Sequence, residues 1–380
     1  MFDKRILIVS GYFPYPTLFG GTFDIWERIK GIKQLGCEVD LIYTYKSLPK
    51  KEDLLVVQKH VEIIGNVKRV NNPFYLLHRK PLQVVSRKEL KSIQFKRHYD
   101  IVVLESESVG EILENKTLKR NKTILRVHNN EAKFFKNLAR STSNFFKKFY
   151  YRWEAKKYES YSKHIYRESN KLWFISLDEL NNYLQQGEKS KSVHLPPPIN
   201  DTFLKQSLGN HTVLYVGALF MDNNLFGILW YLENIHDKIS NMYSNYRLLI
   251  CGSTGNRSED YFKNKFGRYN RLDLYLNLKD ITKIYTLASV FINPVFHGAG
   301  VKLKSINAIV KGLPLVTTSI GAEGIGLVKE EMFFLANNKD QFIESIEKSF
   351  AKDNQEMVEK AQNHLKSNHY LKILKEQIQN

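Results

Sequence analysis

Residues 296–326 read FHGAGVKLKSINAIVKGLPLVTTSIGAEGIG, and this stretch decides the fold. The apolar run 287–293 before it predicts a strand, and the Gly298–Gly300 loop follows where that strand ends. A helix is predicted next, with Lys302 and Lys304 in its first turn and Gly312 at its end. A buried strand and a second glycine turn follow, and this alternation is typical of a parallel α/β sheet.

The loop and the two lysines predict a phosphate site. Ligands of open parallel sheets bind beyond the carboxyl ends of the strands, where backbone N–H groups and a helix N-terminus favour an anion. The helix dipole disfavours cations in a first turn, so two lysines there indicate an anion that lies between them. On this segment alone, the alternative is an ordinary strand–loop–helix connection with solvated lysines.

The whole segment resembles the donor-site region of family-4-type retaining glycosyltransferases (glycosyl transferases group 1). Their patterns G-x-G-x-K/R-x-K, x-G-x-P-V-V-x-T and G-x-E-G are matched here by Gly298, Gly300, Lys302, Lys304, Gly312, Pro314, Val316, Thr318, Gly321, Glu323 and Gly324. The resemblance implies an α/β chain of GT-B architecture, in which two Rossmann-like domains face each other across a cleft. It also implies a nucleotide diphosphate sugar as donor substrate and no further cofactor.

Length and composition predict two domains of ordinary size in a cytoplasmic protein. The chain has 380 residues, 43% of them hydrophobic, and no apolar run approaches the roughly 18 residues of a membrane span. Its start, MFDKRILIVS, enters a strand directly and lacks the features of a signal peptide. Cys37 and Cys251 are isolated, which predicts reduced packing residues, and no Cys/His cluster has zinc-site spacing.

Positive charge is concentrated in the first half of the chain. The formal net charge is +18, and residues 1–200 carry 36 Lys and Arg against 21 Asp and Glu, whereas residues 201–380 carry 21 against 18. This asymmetry predicts a polyanionic partner, such as a membrane surface, a phosphorylated acceptor or nucleic acid. A lysine-rich genome composition is the alternative. Because the sequence has no known nucleic-acid-binding motif, we expect no nucleic-acid partner.

Strands and helices alternate along both halves. The chain opens with a strand at 6–10, a Gly/Pro loop at 11–21, a helix capped by Thr22 that runs to about Leu35, and a strand at 39–43. Further strands are predicted at 101–104, 123–127, 172–175, 194–195, 213–216 and 248–251, and helices at 50–60, 86–98, 131–140, after 144, 224–235, 279–287 and from 354. We expect an acceptor domain over 1–195 and a donor domain over 196–360 that begins at the triple proline 196–198. As in GT-B enzymes, a helix over 361–380 is expected to return to the first domain.

Residues 131–171 combine positive charge with aromatic side chains. Eleven Lys and Arg lie between 133 and 171, interleaved with phenylalanines, tyrosines and Trp153. A basic aromatic helix of this kind can lie on an anionic membrane surface, and for a cytoplasmic protein this would be the inner face of the membrane. It can equally pack its aromatic side chains into the core while its lysines face water.

The resemblance assigns the donor to glycine turns of both domains. Gly20 and Gly21 lie before the first helix, and Gly217 follows a predicted strand, so backbone can approach a diphosphate closely at both places. Glycosyl transfer requires the diphosphate leaving group to be neutralised. Since the sequence has no Asp-x-Asp metal motif, backbone N–H groups, Lys302 and Lys304 are expected to do this without a metal ion.

The segment RVHNNE at 126–131 contains the candidate catalytic residues. It places His128 directly after the predicted strand 123–127, at the sheet edge where substrates bind. The family has H-N-x-E at this point, and its histidine lines the cleft near the transferred sugar. The resemblance therefore implies His128 as a catalytic-site residue, with Asn129 and Glu131 as helpers. A structural role is the alternative for a lone histidine.

The sequence departs from the family at two positions. Many members carry two glutamates eight residues apart, the later of which binds the nucleotide ribose, and the corresponding residues here are Ala299 and Asn307. Asn307 can hydrogen-bond a hydroxyl without charge, and Glu323 either supplies the missing carboxylate or ends a turn. We expect a retaining, metal-independent hexosyltransferase that acts on a glycan or lipid-linked acceptor in surface polysaccharide or glycoconjugate assembly. The alternative is a catalytically inactive GT-B relative that scaffolds a glycosylation complex.

Overall fold

A computed structural model describes residues 4–379 except 18, 71, 143, 186, 188–190, 200–202, 206–209, 279, 299, 352 and 368. Contacts divide the chain into two units. The N-terminal unit comprises Met1–Pro198 and Tyr370–Asn380, and the C-terminal unit comprises Ile199–His369. Each unit is built on its own parallel sheet.

The sheet of the N-terminal unit has seven strands among the described residues. They are β1 (Arg5–Ser10), β2 (Glu38–Tyr45), β3 (Glu62–Lys68), β4 (His98–Leu104), β5 (Lys119–Val127), β6 (Lys171–Phe174) and β7 (Ser192–His194). Their order is β3-β2-β1-β4-β5-β6-β7, so the order reverses between β1 and β4, where Ile6 pairs with Ile101. Loops after two such strands diverge, which leaves room for a ligand at the carboxyl ends.

Helices cover this sheet because its central strands are apolar on both faces. They are α1 (Gly20–Gln34), α2 (Lys51–Gln58), α3 (Leu82–Val85), α4 (Glu131–Ser141), α5 (Phe145–Glu168) and α6 (Leu177–Leu184), with 3₁₀ segments at Pro73–Leu77, Lys88–Ser92 and Glu107–Glu114. Ile25 and Ile29 of α1 belong to the same core as Ile6 and Ile8, whereas Ile165 of α5 belongs to the core of the other face. No helix within the described ranges is long and apolar enough to cross a membrane.

The sheet of the C-terminal unit has six strands among the described residues. They are β8 (Thr212–Ala218), β9 (Arg247–Ser253), β10 (Leu272–Leu276), β11 (Val290–Asn293), β12 (Leu315–Thr317) and β13 (Phe334–Leu335), in the order β10-β9-β8-β11-β12-β13. The helices are α7 (Asp222–Tyr231), α8 (Asp237–Met242), α9 (Glu259–Phe266), α10 (Thr282–Tyr285), α11 (Leu303–Val310), α12 (Lys339–Ala351) and α13 (Gln355–Lys366). The order reverses between β8 and β11, as in a Rossmann-like sheet. The expected architecture of two Rossmann-like domains is therefore confirmed.

The last helix, α14 (Tyr370–Gln379), belongs to the N-terminal unit. Its Leu374 and Ile378 are fully buried in the core on the α1 face of the sheet. A Cβ on Gly31 would lie 3.1 Å from Leu374 Cδ2, so glycine lets α1 and α14 approach closely. The sequence assigns the returning segment to 361–380, whereas in the structure α13 stays in the C-terminal unit and the segment grouped with the first unit begins at Tyr370.

Two predicted local structures in the N-terminal unit are wrong. Thr22 is not the N-cap residue of α1, because the helix begins at Gly20. Thr22 lies at its third position, where its Oγ1 accepts from the Phe19 N–H (3.4 Å) and donates to Phe19 O (2.9 Å). The helix predicted over 86–98 is reduced to the 3₁₀ segment Lys88–Ser92. There, Asn115 Nδ2 donates to the carbonyl oxygens of Leu90 (3.1 Å) and Ile93 (2.7 Å), which occupies acceptors that a longer helix would use.

Other differences concern polar strands and one short helix. Strands β3, β10 and β13 are not predicted from the sequence. The side chains of β3 and β10 are mostly half-buried or exposed and show no long apolar run, and β13 is only two residues long. The helix predicted over 279–287 is shorter: Lys279 lies outside the described residues, and α10 covers Thr282–Tyr285. The Asp280 carboxylate accepts from the Thr282 N–H over 2.8 Å just before α10 begins.

Candidate active site

The predicted phosphate loop lies at the switch point of the C-terminal sheet. Gly217 is near the carboxyl end of β8, and the loop that contains Gly298 and Gly300 follows β11, its neighbour. Gly298 has φ = 137° and Gly300 has φ = 79°, conformations that side chains disfavour. Ala299, between them, lies outside the described residues. A Cβ on Gly217 would lie 2.7 Å from the Tyr215 hydroxyl, so glycine lets this ring lie against the backbone.

Lys304 lies in the first turn of α11, and the two groups that its Nζ contacts are neutral. Its Nζ donates to Asn224 Oδ1 over 2.9 Å and lies 4.9 Å from the centroid of the Tyr215 ring. None of the carboxylates in the described part of the chain forms an ion pair with it. Burial, and then the nearby charge of Lys302, lower the pKa of Lys304 to about 7. The Lys304 amino group is therefore only partly protonated at neutral pH, and a bound anion would restore its charge.

Lys302 connects the loop to the second glycine turn. It is the N-cap residue of α11, and its Nζ donates to Gly300 O over 2.6 Å. The same Nζ lies 4.0 Å from Glu323 Oε2. Whether Glu323 replaces the missing ribose-binding carboxylate stays a prediction. Asn307, one turn after Lys304, is half-buried on α11.

Hydrogen bonds fix the second glycine turn against β11 and α11. Asn293 Nδ2 donates to Ser305 Oγ (2.8 Å), and Ser305 Oγ donates to Gly321 O (2.9 Å). The N–H of Gly321 donates to Thr318 Oγ1 over 2.9 Å. A Cβ on Gly321 would lie only 2.0 Å from Thr317 Oγ1, so this position has room for glycine alone. The donor-site segment is therefore held as one rigid piece of the C-terminal unit.

In the N-terminal unit, Gly20 and Gly21 are the first residues of α1 rather than part of the preceding loop. Gly20 is exposed and Gly21 half-buried. The first N–H groups of a helix have no partner within it, so they are available to an anion. Donor binding by these two residues stays a prediction.

A fully buried network of four charged side chains lies at the switch point of the N-terminal sheet. Arg28 donates to Glu105 through two bonds of 2.7 and 2.8 Å, and Arg126 donates to Asp24 through two bonds of 3.0 Å. A contact between Arg28 and Asp24 joins the two pairs. Burial alone would raise the pKa of Asp24, but the charges of Arg126 and Arg28 outweigh it and hold the pKa well below its usual range.

His128 lies over this network. Its Nδ1 is 3.8 Å from Asp24 Oδ2 and its Nε2 is 3.9 Å from Glu105 Oε2, distances that are too long for hydrogen bonds. The side chain is 21% exposed, so one part of the ring reaches solvent. Burial lowers the pKa of His128 below its ordinary value of 6.5, although the nearby Asp24 opposes the shift. The imidazole is therefore neutral at pH 7.

Two carboxyl groups with raised pKa values lie at the ends of β4 and β5. Glu131 Oε1 accepts from Asn129 Nδ2 over 3.1 Å, and burial raises the pKa of Glu131 to about 7. Glu107 accepts from Ser162 Oγ (2.6 Å) and Tyr166 Oη (3.0 Å), and burial raises its pKa to about 8. Both groups can exchange protons near neutral pH, which is a property of acid–base sites.

The buried network and Glu107 are not predicted from the sequence. Asp24 and Arg28 are four residues apart on an otherwise apolar helix face, and Arg126 interrupts an apolar strand, so charged residues inside apolar patterns were the available signal. Asp24, Glu105 and His128 also offer ligand atoms within 4.8 Å of one another, as a metal site would. However, an arginine already binds each of the two carboxylates through two hydrogen bonds. Independence from metal ions stays a prediction.

Comparisons with known proteins identify a family and relatives of the chain. A family model described as glycosyl transferases group 1 matches residues 210–352. A Klebsiella pneumoniae protein named "Uncharacterized 44.6 kDa protein in cps region" is 36% identical over 354 residues, which cover 90% of each chain.

Solved structures share the fold at low sequence identity. S. aureus TarM, as a mutant in complex with Fondaparinux, alpha-GlcNAc-glycerol and UDP, superposes with a TM-score of 0.71 at 9% identity, covering 98% of each chain. Anabaena HepE in complex with UDP and glucose gives a TM-score of 0.65 at 13% identity, covering 99% of this chain and 98% of that one. At these identities the structures show a common fold.

Proposed function

The chain belongs to the group 1 glycosyltransferases of GT-B fold, and on this premise we propose that it is a retaining, metal-independent hexosyltransferase. In the proposed reaction, the bond between the anomeric carbon of a nucleotide diphosphate sugar and the diphosphate breaks. A bond from the anomeric carbon to an acceptor hydroxyl forms, and the hydroxyl proton leaves with the nucleotide diphosphate. Retention of configuration is inferred from the family.

The arrangement around Lys304 carries this proposal. Its ammonium lacks an ion pair among the described residues, lies beside Lys302 and follows a loop whose two glycines have positive φ. Such a group is poised to gain charge when a diphosphate binds, and positive charge beside the anionic leaving group is what glycosyl transfer needs. Gly217 lies at the same edge, next to the Tyr215 ring that Lys304 contacts.

The acceptor is proposed to be a glycan or a lipid-linked precursor in surface polysaccharide or glycoconjugate assembly. The name of the Klebsiella relative, which places that protein in a cps region, supports a role in polysaccharide synthesis. In this proposal, His128 and Glu131 lie next to the reacting sugar, and the enzyme works on the cytoplasmic side of the membrane. The proton-exchanging carboxyls at the ends of β4 and β5 suit the binding of sugar hydroxyls.

The proposal is tested by a panel of nucleotides. Thermal unfolding of the purified chain is measured with UDP, GDP, ADP, TDP and CMP, for the wild type, Lys304→Ala and the exposed control Lys283→Ala. A nucleotide at about 100 times its Kd stabilises a protein by about 2.7 kcal/mol, which raises Tm by several degrees. We expect one nucleotide to do this in the wild type and the control but not in Lys304→Ala. If no nucleotide raises Tm, the donor site is not functional and the inactive scaffold becomes the better explanation.

We further propose that the N-terminal unit contacts an anionic membrane through the first half of α5. The aromatic side chains of 131–171 include a buried set and an exposed set. In the buried set, Phe135 and Tyr158 are stacked, with ring centroids 5.5 Å apart. The exposed set lies on the first turns of α5 and comprises Phe145 (76% exposed), Phe146 (82%), Phe149 (66%) and Trp153 (46%). The buried set packs into the core, and the exposed set supports the proposed membrane contact.

A second exposed apolar segment lies beside α5. Phe74 and Leu77 are 77% and 81% exposed on the 3₁₀ segment Pro73–Leu77, and Lys157 ties this segment to α5 by donating to Leu76 O over 2.9 Å. Glu154 is the one acidic residue between 144 and 158, and it is fully buried. The exposed charges around the apolar side chains are therefore positive, as on proteins that bind anionic bilayers. They belong to Lys147, Arg152 and Lys156.

Vesicle sedimentation tests this contact. The wild type should sediment with vesicles of phosphatidylcholine and phosphatidylserine. The variant Phe145→Ser/Phe146→Ser/Phe149→Ser should bind about 1000-fold more weakly or worse, because each phenylalanine contributes about 1.5–3 kcal/mol when buried and about 1.4 kcal/mol is a factor of ten. Leu48→Ser, at another exposed apolar position (69%), is the control. Equal sedimentation of the triple variant and the wild type would refute the contact.

A further inference from the structure

A second pair of arginines in the N-terminal unit is buried without an acidic partner. Arg87 is 0% exposed and Arg69 is half-buried. Both donate to the amide oxygen of Gln83, Arg69 through Nη2 (2.7 Å) and Arg87 through Nη1 (3.3 Å). Arg87 also donates to Thr44 Oγ1 (2.8 Å) and Gly11 O (3.1 Å). These acceptors are all neutral, and no carboxylate among the described residues forms an ion pair with either arginine.

This pairing differs from that of the other buried arginines of the same unit. Arg28 and Arg126 are each bound through two hydrogen bonds by a carboxylate that balances their charge. Arg69 and Arg87 instead lie beside each other, and burial together with the charge of Arg69 lowers the pKa of Arg87 to about 10. Two adjacent buried cations without a counter-ion are unfavourable for folding, so a folded chain that retains them is expected to gain from an anion.

A third cation and an unsatisfied donor point to the same place. Lys46 follows β2 and is exposed overall. Partial burial, and then the charges of Arg69 and Arg87, lower its pKa. The buried Nε of Arg69 has no hydrogen-bond partner. Arg69 is half-buried and Lys46 exposed, so both can be reached from solvent, whereas Arg87 is fully buried.

The three cations lie at the edge of the sheet where substrates bind. Gly11 follows β1, Lys46 follows β2 and Arg69 follows β3, so all are at carboxyl ends of neighbouring strands. The buried Tyr158 lies within electrostatic range of both Arg87 and Glu131. The arginine pair is therefore close to the candidate catalytic segment 128–131.

We propose that Arg69 and Lys46 bind a phosphate group of the acceptor at the carboxyl edge of the N-terminal sheet, and that the buried charge of Arg87 strengthens this binding. The planar guanidinium group of Arg69, whose Nε has no partner, offers donors that match phosphate oxygens. A phosphate or diphosphate, with two or more negative charges, balances the three cations better than a single carboxylate does. That the phosphate belongs to an acceptor rests on the proposed transferase function, whereas the phosphate site itself does not.

Calorimetric titration with inorganic pyrophosphate tests the site in the full chain without nucleotide. The variants are Arg69→Gln, Lys304→Ala, which removes a donor-site lysine, and Arg167→Gln, the same charge change at an exposed position of α5. We expect Arg69→Gln to weaken binding about 10- to 100-fold, as the loss of a charge-assisted hydrogen bond would. Lys304→Ala and Arg167→Gln should retain this binding event. If Arg69→Gln binds as the wild type does while Lys304→Ala loses all binding, pyrophosphate occupies the donor site alone and the proposal is wrong.

A stability measurement separates a binding role from a structural one. Arg69→Gln removes a repulsion from Arg87, so its Tm in phosphate-free buffer should equal or exceed that of the wild type. The rise of Tm that pyrophosphate causes in Lys304→Ala should disappear in Lys304→Ala/Arg69→Gln. A Tm several degrees lower for Arg69→Gln without phosphate would show that Arg69 supports the fold and would overturn the proposal. Failure of this test leaves the donor chemistry intact, and an inactive donor site leaves this test valid.

Two probes distinguish the sources of the phosphate. In the Lys304→Ala background, glucose 1-phosphate represents a phosphorylated glycan, and phosphatidylcholine vesicles with polyprenyl phosphate represent a lipid-linked acceptor. Binding of either probe that depends on Arg69 supports the proposal and names the source. Binding of glucuronate that depends on Arg69, with neither phosphate probe bound, would show a carboxylate site and contradict it.

Discussion

The low pKa of Lys304 predicts that nucleotide binding takes up a proton. Burial and Lys302 lower this pKa to about 7, and the groups that Lys304 contacts, Asn224 Oδ1 and the Tyr215 ring, are neutral. In the free protein, about half of the Lys304 side chains are therefore uncharged at pH 7. A diphosphate placed beside the ammonium favours the charged form and raises the pKa again.

The size of the effect follows from the titration curve. If the bound nucleotide restores a pKa above 10, binding takes up about 0.5 proton at pH 7 and about 0.9 at pH 8, starting from a pKa of about 7. At pH 6 the uptake falls to about 0.1 proton, because Lys304 is then already charged. Affinity should consequently decrease as pH rises from 7 to 9, since a growing part of the binding free energy protonates the lysine.

Calorimetry in buffers with different ionisation enthalpies measures this uptake directly. The slope of the apparent binding enthalpy against the buffer enthalpy gives the number of protons, and Lys304→Met provides the baseline. That baseline also accounts for protons exchanged by the nucleotide phosphate, whose second pKa is about 6. Equal slopes for the wild type and Lys304→Met at pH 8 would show that Lys304 does not meet the phosphate and would refute this reasoning.

Three further predictions concern the rest of the site. His128→Ala should lower the transfer rate by about 100-fold or more without changing the Tm shift caused by nucleotide. Since the pKa of His128 lies below 6.5, the wild-type rate should decrease in the acidic range, where the imidazole becomes protonated. Asp24→Asn should cost about 3–5 kcal/mol in urea unfolding, because it leaves Arg126 buried without a carboxylate. Since the pKa of Asp24 is depressed in the folded state, its stabilisation is present above about pH 4 and lost as pH falls, so an equally acid-sensitive Asp24→Asn variant would contradict the assignment. Gly321→Ala should cost about 1–3 kcal/mol through overpacking against Thr317, whereas Gly65→Ala, whose added methyl meets nothing nearer than 3.6 Å, should unfold nearly as the wild type does.

Local patterns in the sequence predict most of the donor segment and the alternation of strands and helices. Apolar runs predict the buried central strands, and the glycines of 298–300 have the positive φ values that their turn requires. The break between α4 and α5 is also local: Asn144 caps the second helix by accepting from the Lys147 N–H. Such features depend on side-chain period and backbone conformation within a few residues, so the sequence alone determines them.

Elements that depend on residues far away in the sequence are not predicted from local patterns. The helix predicted over 86–98 is shortened by the side chain of Asn115, which comes from a later loop. Half-buried strands such as β3 form because a neighbouring strand offers its edge, and their own side chains show no apolar run. Tertiary contacts therefore decide these elements.

The charged groups of the site show the same division most clearly. The sequence by itself determined the glycine loop, both lysines of the donor segment and the position of His128 after its strand. Only the tertiary structure decided which charges are balanced: it brings Asp24 and Glu105 to Arg28 and Arg126, and it leaves Arg69 and Arg87 with neutral partners. The reason is physical, since the pKa and the binding capacity of a charged side chain depend on burial and on charges within a few ångströms. Those neighbours come from strands and helices that are far apart along the chain.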